Sequence, residues 1–137
     1  DSTMKVWDLE TFELIADHPS TMGGYWSLSF TPDGSSVVAG DLSGNLSMVD
    51  VETGATTMTM DGAKLRSSRT AVSPDGRFVA AGADGSIVRL WSLDSGQIVA
   101  DAVGHTGPIT SIEFFADSAR LVSASFDGTA IVWSLAS

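Results

Sequence analysis

The stretch IVRLWSLDSG at residues 87–96 decides the fold, because variants of it return at a fixed interval: TMKVWDLETF at 3–12, NLSMVDVETG at 45–54 and TAIVWSLAS at 129–137. A period near 42 residues that closes on tryptophan is typical of a four-stranded repeat, one blade of a β-propeller. The sequence therefore predicts an all-β fold. Three sets of equivalent positions carry the period: Trp7, Val49, Trp91 and Trp133; Pro32, Pro74 and Ala116; Phe30, Val72 and Phe114.

Turn residues divide each unit into four short strands. Pro-Asp-Gly at 32–34 and 74–76 favours tight reversals, because proline presets φ and glycine accepts left-handed geometry. The register predicts a propeller segment over 1–137: a partial blade at 1–17, blades at 25–60 and 68–102, and a partial blade at 109–137. This is about three blades, whereas closed propellers have about four to eight. We expect either a fragment of a longer propeller or a homo-oligomer that completes the ring.

Composition narrows the class of protein. Hydrophobic residues make up 43% of the chain and no apolar run approaches the length of a membrane helix, so a membrane role is not predicted. The net charge of −10 argues against direct nucleic-acid binding, and the absence of cysteine excludes disulfides and thiolate metal sites. Four of the seven bases crowd one segment, either as a solvated blade edge or as a contact for an acidic partner: Lys64, Arg66, Arg69 and Arg77.

The repeats resemble the WD-repeat family, whose units pair Gly-His near the start with Trp-Asp at the end. Trp7-Asp8 is a full match, and Gly104-His105 is the one Gly-His pair. WD repeats commonly bury a hydrogen-bonded set of Asp, His, Ser or Thr, and Trp. The resemblance implies such a structural tetrad in the last unit, formed by His105, Ser123, Asp127 and Trp133.

Comparison between the units supports a structural role for this set. Position 123 is Ala39 and Ala81 in the other repeats, and position 127 is Ser43 and Gly85, so the polar partners occur together or not at all. A catalytic triad is the alternative, but no nucleophile elbow or oxyanion motif accompanies it. We predict no catalytic residue, no metal site, no cofactor and no enzyme activity. His18 lies off the repeat register, and we expect it to be an exposed loop residue.

Large side chains in the loops that enter the inner strands, and in the turns between second and third strands, do not help to build a blade. Tyr25 and Trp26 are neighbours in one strand, so one of them packs inward. Aromatic and arginine side chains dominate binding hot spots, and the alternative for each is packing against a neighbouring blade. The residues that we predict to form a partner-binding surface are Trp26, Arg66, Arg69 and Phe126.

Three strings carry a closer resemblance: GHTGPI at 104–109, WSLSF at 26–30 and VETG at 51–54. They resemble the WD-repeat subunits shared by the superkiller complex of RNA decay and the polymerase-associated factor complex of transcription elongation. The resemblance implies a non-catalytic scaffold of nucleus and cytoplasm that docks a larger protein. The alternatives are a generic WD adaptor, such as a ubiquitin-ligase substrate receptor or chromatin-peptide reader, and the sensory propeller of a larger enzyme.

Overall fold

The computed structural model describes residues 2–20, 23–62 and 69–135, and every regular element in these ranges is a strand. None of the described residues lies in a helix that could cross a membrane. The prediction of an all-β chain is therefore confirmed. The strands are β1 Thr3–Trp7, β2 Leu14–Pro19, β3 Tyr25–Phe30, β4 Ser36–Asp41, β5 Leu46–Asp50, β6 Thr56–Met60, β7 Thr70–Val72, β8 Phe78–Ala83, β9 Ile87–Ser92, β10 Ile98–Val103, β11 Ile109–Phe114, β12 Arg120–Ser125 and β13 Ala130–Ser134.

The strands form four antiparallel sheets in which each strand pairs with its neighbours in sequence. The first sheet contains β1–β2, the second β3–β6, the third β7–β10 and the fourth β11–β13. The turn between β3 and β4 shows why the connections are tight. Asp33 accepts hydrogen bonds from the Thr31 hydroxyl (2.6 Å) and the Ser35 N–H (3.1 Å), and Gly34 takes a left-handed φ of 73°.

Apolar side chains join each sheet to the next. Met4 of the first sheet packs on Val37 and Val49 of the second. Leu46 of the second sheet shares a cluster with Trp91 of the third, and the last cluster joins the third and fourth sheets through Leu90, Ala80, Ile112 and Leu121. The described sheets thus follow one another in an open arc, as predicted for an incomplete ring of blades.

The expectation for His18 was wrong. His18 lies within β2, is half-buried, and forms a hydrogen bond through Nε2 with the Val51 carbonyl oxygen at 3.0 Å. Its imidazole packs over Gly54, at a position that any β-carbon on residue 54 would overlap. The repeat register misled the interpretation because no equivalent histidine exists in the other units. His18 instead connects the outer strand of the first sheet to the second.

Candidate partner-binding surface

Two backbone hydrogen bonds fix the turns that lie beside the predicted binding residues. Leu42 N–H donates to the Gly24 carbonyl at 3.3 Å, and Phe126 N–H donates to the Pro108 carbonyl at 3.0 Å. Each bond ties a turn between second and third strands to the segment that enters an inner strand. Trp26 therefore lies near such a bond in the second sheet, and Phe126 takes part in the equivalent bond of the fourth sheet.

Trp26 and Arg69 lie together in a depression of about 470 Å³ between the inner strands β3, β7 and β11. Trp26 is 61% exposed and Arg69 is exposed. In the described parts of the chain, the Arg69 guanidinium has no ion pair and the Trp26 indole N–H has no acceptor, so both are free to meet a partner. The depression is lined by Trp26, Ser27, Leu28, Ser29, Arg69, Thr70, Ser111, Ile112 and Glu113.

Regular alternation along β3 puts Trp26 on the exposed side of the strand, together with Leu28 and Phe30. The pairing of β3 with β4 also slips between Tyr25 and Ser27, which leaves Trp26 without a partner on β4. Tyr25 packs against the cluster between the first and second sheets. Of the two neighbours, Tyr25 is therefore the one that faces inward, and Trp26 faces outward, as expected for adjacent residues of a strand.

The other two predicted binding residues stand apart from this depression. Phe126 is exposed at the tip of the β12–β13 turn and is not among the residues that line the depression. Arg66 lies outside the described residues. The structure thus brings together Trp26 and Arg69, and only for this pair does a shared surface follow from the geometry.

The four polar residues of the last unit meet in one chain of hydrogen bonds. Trp133 Nε1–H donates to Ser123 Oγ at 2.8 Å, and Ser123 Oγ lies 2.8 Å from His105 Nε2. His105 Nδ1 lies 2.9 Å from Asp127 Oδ2. A neutral imidazole protonated on Nδ1 satisfies every bond in turn, because it donates to the carboxylate and accepts the serine O–H.

Asp127 anchors this network as an anion. The Thr129 hydroxyl and the Thr106 backbone N–H donate to its carboxylate, at 2.6 Å and 2.9 Å, and hold the Asp127 pKa well below its ordinary value of 3.8. Ser123 is 1% exposed, so a substrate has no approach to its hydroxyl. The hydrogen bonds are therefore those of a Ser-His-Asp triad, but the serine is buried like a residue of the core.

The third sheet lacks the tetrad but contains an ion pair that the sequence analysis did not predict. Arg89 pairs with Asp101 through two bonds of 2.6 Å and 2.7 Å and also donates to the Gly62 carbonyl. In the first sheet, Lys5 pairs with Asp17 at 2.9 Å. Both pairs join the third and fourth strands of a unit at equivalent positions. The signal was present in the sequence, as a base and an acid that recur together in the register.

In the same third sheet, the indole N–H of Trp91 finds a hydrogen-bond acceptor that is not a serine. Trp91 is fully buried, and its Nε1–H donates to the Asp61 carbonyl oxygen at 3.0 Å. Within the described ranges, no group of three or more His, Asp or Glu side chains has a geometry that could hold a metal ion. The exposed pair of Trp26 and Arg69 thus stays the candidate for binding.

Comparisons with known proteins agree with this architecture. The family described as "WD domain, G-beta repeat" matches residues 57–92 and 96–134. The periodic tryptophan protein 2 homolog of Neurospora crassa is 41% identical over 73 residues, which cover 53% of this chain and 8% of that protein. The WD repeat-containing protein SL1-17 of Schistosoma mansoni is 30% identical over 127 residues, which cover 93% of this chain and 42% of that protein.

A solved structure matches the fold along nearly the whole chain. The computationally designed Ika4 protein superposes with a TM-score of 0.78 at 30% identity, covering 99% of this chain and 81% of the designed one. The four sheets are therefore blades of an incomplete β-propeller, as the repeat period predicted. The chain spans less than half the length of both curated relatives.

Proposed function

The chain belongs to the WD-repeat family, and we propose that it is a protein-interaction scaffold that captures a segment of a partner protein through Trp26 and Arg69. The observation that carries this proposal is the depression that these two exposed side chains share. Trp26 offers a large apolar surface, and Arg69 offers a guanidinium with no partner in the described part of the chain. Tryptophan and arginine are the residue types most enriched in binding hot spots.

The charges around the depression indicate what the partner segment carries. Arg69 is the base among the lining residues and Glu113 is the acid, while the chain as a whole has a net charge of −10. A segment with an apolar residue for Trp26 and a carboxylate for Arg69 satisfies both groups. Because Arg69 is exposed, we expect its ion pair to contribute less than Trp26, about 1 kcal/mol or below.

Substitution of the two residues tests the proposal. The wild-type chain and the variants Trp26→Ala and Arg69→Glu are used as bait in extracts of the source organism, and captured proteins are quantified by mass spectrometry. Loss of a hot-spot tryptophan costs at least about 2 kcal/mol, so we expect capture of the specific partner to fall more than about tenfold for Trp26→Ala. Arg69→Glu should weaken capture less, and more strongly at low salt.

Matched controls come from the same chain. Leu9 is a large exposed apolar residue and Arg77 an exposed arginine, and neither lines the depression. Leu9→Ala and Arg77→Glu should leave capture unchanged. Equal capture by the wild-type chain and by both Trp26→Ala and Arg69→Glu, with all proteins folded by circular dichroism, would show that the depression is not the binding surface.

The identity of the captured protein decides between two finer assignments. The resemblance of residues 104–109, 26–30 and 51–54 supports a subunit of a eukaryotic RNA-decay or transcription-elongation complex, present in nucleus and cytoplasm. The relatives reported above carry other names, and they equally support a generic WD adaptor. Recovery of superkiller or elongation-complex subunits supports the first assignment. Recovery of a ubiquitin ligase or of chromatin peptides supports the second.

A further inference from the structure

A cleft of about 380 Å³ lies between the second and third sheets, at the end where β3 turns into β4. Both sheets have four strands, so complete blades form both of its walls. Leu93 belongs to the buried cluster between these sheets and Met48 packs against that cluster, so the cleft has an apolar floor. The other lining residues come from the β3–β4 turn, the start of β4 and the β7–β8 turn, and among them are Asp33, Asp75, Ser35 and Ser36.

Two carboxylates give the cleft a negative charge. The Thr31 hydroxyl donates to Asp33 and the Ser73 hydroxyl donates to Asp75, each at 2.6 Å. These hydrogen bonds are the main reason why the pKa of each carboxyl group lies below its ordinary value, so both groups are anions at neutral pH. Of the described residues that line the cleft, none is a lysine or arginine. A cleft whose charges all have one sign attracts a ligand of the opposite charge.

The chain supplies a cation to the equivalent aspartates of the third and fourth sheets, but not to Asp33. Arg77 follows Asp75 by two residues, and its charge contributes to the lowered pKa of Asp75. Arg120 pairs with Asp117 at 2.8 Å. Within the described ranges, Asp33 has no ion pair, and its carboxylate accepts hydrogen bonds from hydroxyl and backbone groups of its own turn. Of these three turn aspartates, Asp33 is therefore the one that a cation from another protein can pair with.

Small residues border the cleft where larger side chains stand one repeat later. Ser35 and Ser36 are at the positions equivalent to Arg77 and Phe78. The Arg77 guanidinium lies 5.0 Å from the centroid of the Phe78 ring, and Phe78 lines the space between the third and fourth sheets. The third sheet thus carries its own arginine at the position where the second sheet has a serine beside the cleft.

We propose that this cleft binds an arginine side chain of a second protein. The alkyl stem of the arginine packs on Met48 and Leu93, and its guanidinium pairs with the two carboxylates. An arginine combines an apolar stem with a charged head, which suits a cleft that has an apolar floor and carboxylates in its walls. Its planar guanidinium matches the geometry of a carboxylate and forms two hydrogen bonds with it, which a lysine ammonium does not. The inserted guanidinium acts on Asp33 as Arg77 acts on Asp75.

The charges around the cleft favour the same occupant. Because β3 and β5 are both antiparallel to β4, the β5–β6 turn lies at the same end of the second sheet as the cleft. The β9–β10 turn lies at this end of the third sheet for the same reason. These turns add the exposed acids Glu52 and Asp94, whose charges act over about 8 Å at physiological ionic strength. A basic segment is therefore attracted to this end of the two sheets.

Two peptides that differ in one charge test the proposal. The isotope-labelled chain is titrated in NMR experiments with the peptide Gly-Gly-Arg-Gly-Gly, capped at both ends, and with the same peptide carrying citrulline, a neutral analogue of arginine. We expect the arginine peptide to shift the amide signals of Gly34, Ser35 and Gly76, and the citrulline peptide to bind at least about fivefold more weakly. The depression of Trp26 and Arg69 shares no lining residue with the cleft, so its signals should not move and either site can fail without the other.

Matched substitutions separate recognition by the cleft from the effect of overall charge. Asp33→Asn/Asp75→Asn should weaken binding of the arginine peptide about tenfold, because both carboxylates of the cleft are lost. Glu52→Gln/Asp94→Asn also removes two exposed acids at this end, but neither lines the cleft, so binding should weaken less than about twofold. The dispersion of the amide signals checks that each variant is folded.

A third variant fills the cleft from within the chain. Ser35→Arg/Ser36→Phe gives the second sheet the residues that the third sheet has at the equivalent positions, and it should abolish the shifts of Gly34 and Gly76. The proposal is overturned if no signal of the cleft shifts at about 10 mM arginine peptide, or if the citrulline peptide binds as well. Equal losses in the two acid-to-amide variants, or unchanged binding by Ser35→Arg/Ser36→Phe, would overturn it too.

Discussion

Ser123 is the residue on which the polar network of the fourth sheet depends. Its buried hydroxyl lies 2.8 Å from both Trp133 Nε1 and His105 Nε2. Leaving a buried donor or acceptor without a partner costs about 1 to 3 kcal/mol. The second and third sheets avoid this dependence, because they have Ala39 and Ala81 at the position equivalent to Ser123. At the position of Trp133, the second sheet has a valine, and the third has Trp91, which donates to a backbone carbonyl instead.

Ser123→Ala should therefore lower the free energy of unfolding by about 2 kcal/mol, since two buried nitrogens lose their partner at once. Urea denaturation followed by tryptophan fluorescence measures the change. Ser111→Ala, an exposed serine of the same sheet, is the matched control and should stay within about 0.5 kcal/mol of wild type. If the two substitutions cost the same, the network contributes nothing specific to stability.

Asp127 makes stability depend on pH in a defined direction. Its pKa is lowered by the Thr129 hydroxyl first and by the Thr106 N–H next, so the native state favours the carboxylate. A group with a lowered folded pKa stabilises the protein fully above its unfolded pKa of 3.8 and loses this contribution as pH falls toward the folded pKa. The wild-type chain should thus lose stability below about pH 4.

Comparison with Asp127→Asn isolates this effect from the other turn aspartates. The stability difference between wild type and the variant should be constant above about pH 5 and shrink as pH falls to about 2, measured by urea midpoints. Glu10→Gln, an exposed site, controls for the loss of one negative charge. A difference that stays the same across this range would contradict a lowered Asp127 pKa.

At the scale of the strands, His18 shows how the outer strand of one sheet fixes the next. The imidazole of His18 on β2 fills the space above Gly54, which follows β5 and has a left-handed φ of 70°. Gly34 has nearly the same φ of 73°, but no atom lies within 4 Å of the point that a β-carbon on residue 34 would occupy. The two glycines therefore separate the cost of backbone strain from the cost of steric overlap.

Gly34→Ala should cost about 1 kcal/mol, the strain of alanine in left-handed geometry. Gly54→Ala should cost at least about 1 kcal/mol more, because the new methyl group overlaps the imidazole. Thermal unfolding by calorimetry measures both. Adding His18→Ala to Gly54→Ala should remove most of the excess. Equal costs for the two glycine variants would mean that β2 is displaced easily and does not fix the second sheet.

The register explains which strands were predictable and which side chains were not. Equivalent positions predicted the turns at Asp33 and Asp75, because both units repeat the same local chemistry. The companions of Ser123 were instead implied by the resemblance to WD repeats, since the other units lack them. Alternation along β3 predicted that one of Tyr25 and Trp26 faces outward, but it does not say which side of the strand the other sheets cover. His18 depends on a contact between sheets, and comparison between units cannot predict a residue that occurs once.

At the scale of the whole molecule, Leu28 and Ile112 measure what packing between sheets contributes to stability. They occupy equivalent positions on β3 and β11, but Leu28 is 49% exposed and Ile112 is 2% exposed. Ile112→Ala should cost about 2 to 5 kcal/mol, because it opens a cavity in the cluster between the third and fourth sheets. Leu28→Ala should cost under about 1 kcal/mol, because its side chain already meets water.

Urea denaturation of the two variants and of the wild-type chain measures both costs. Equal costs for Leu28→Ala and Ile112→Ala would mean that the packing of the fourth sheet on the third contributes no more to stability than a half-exposed position does.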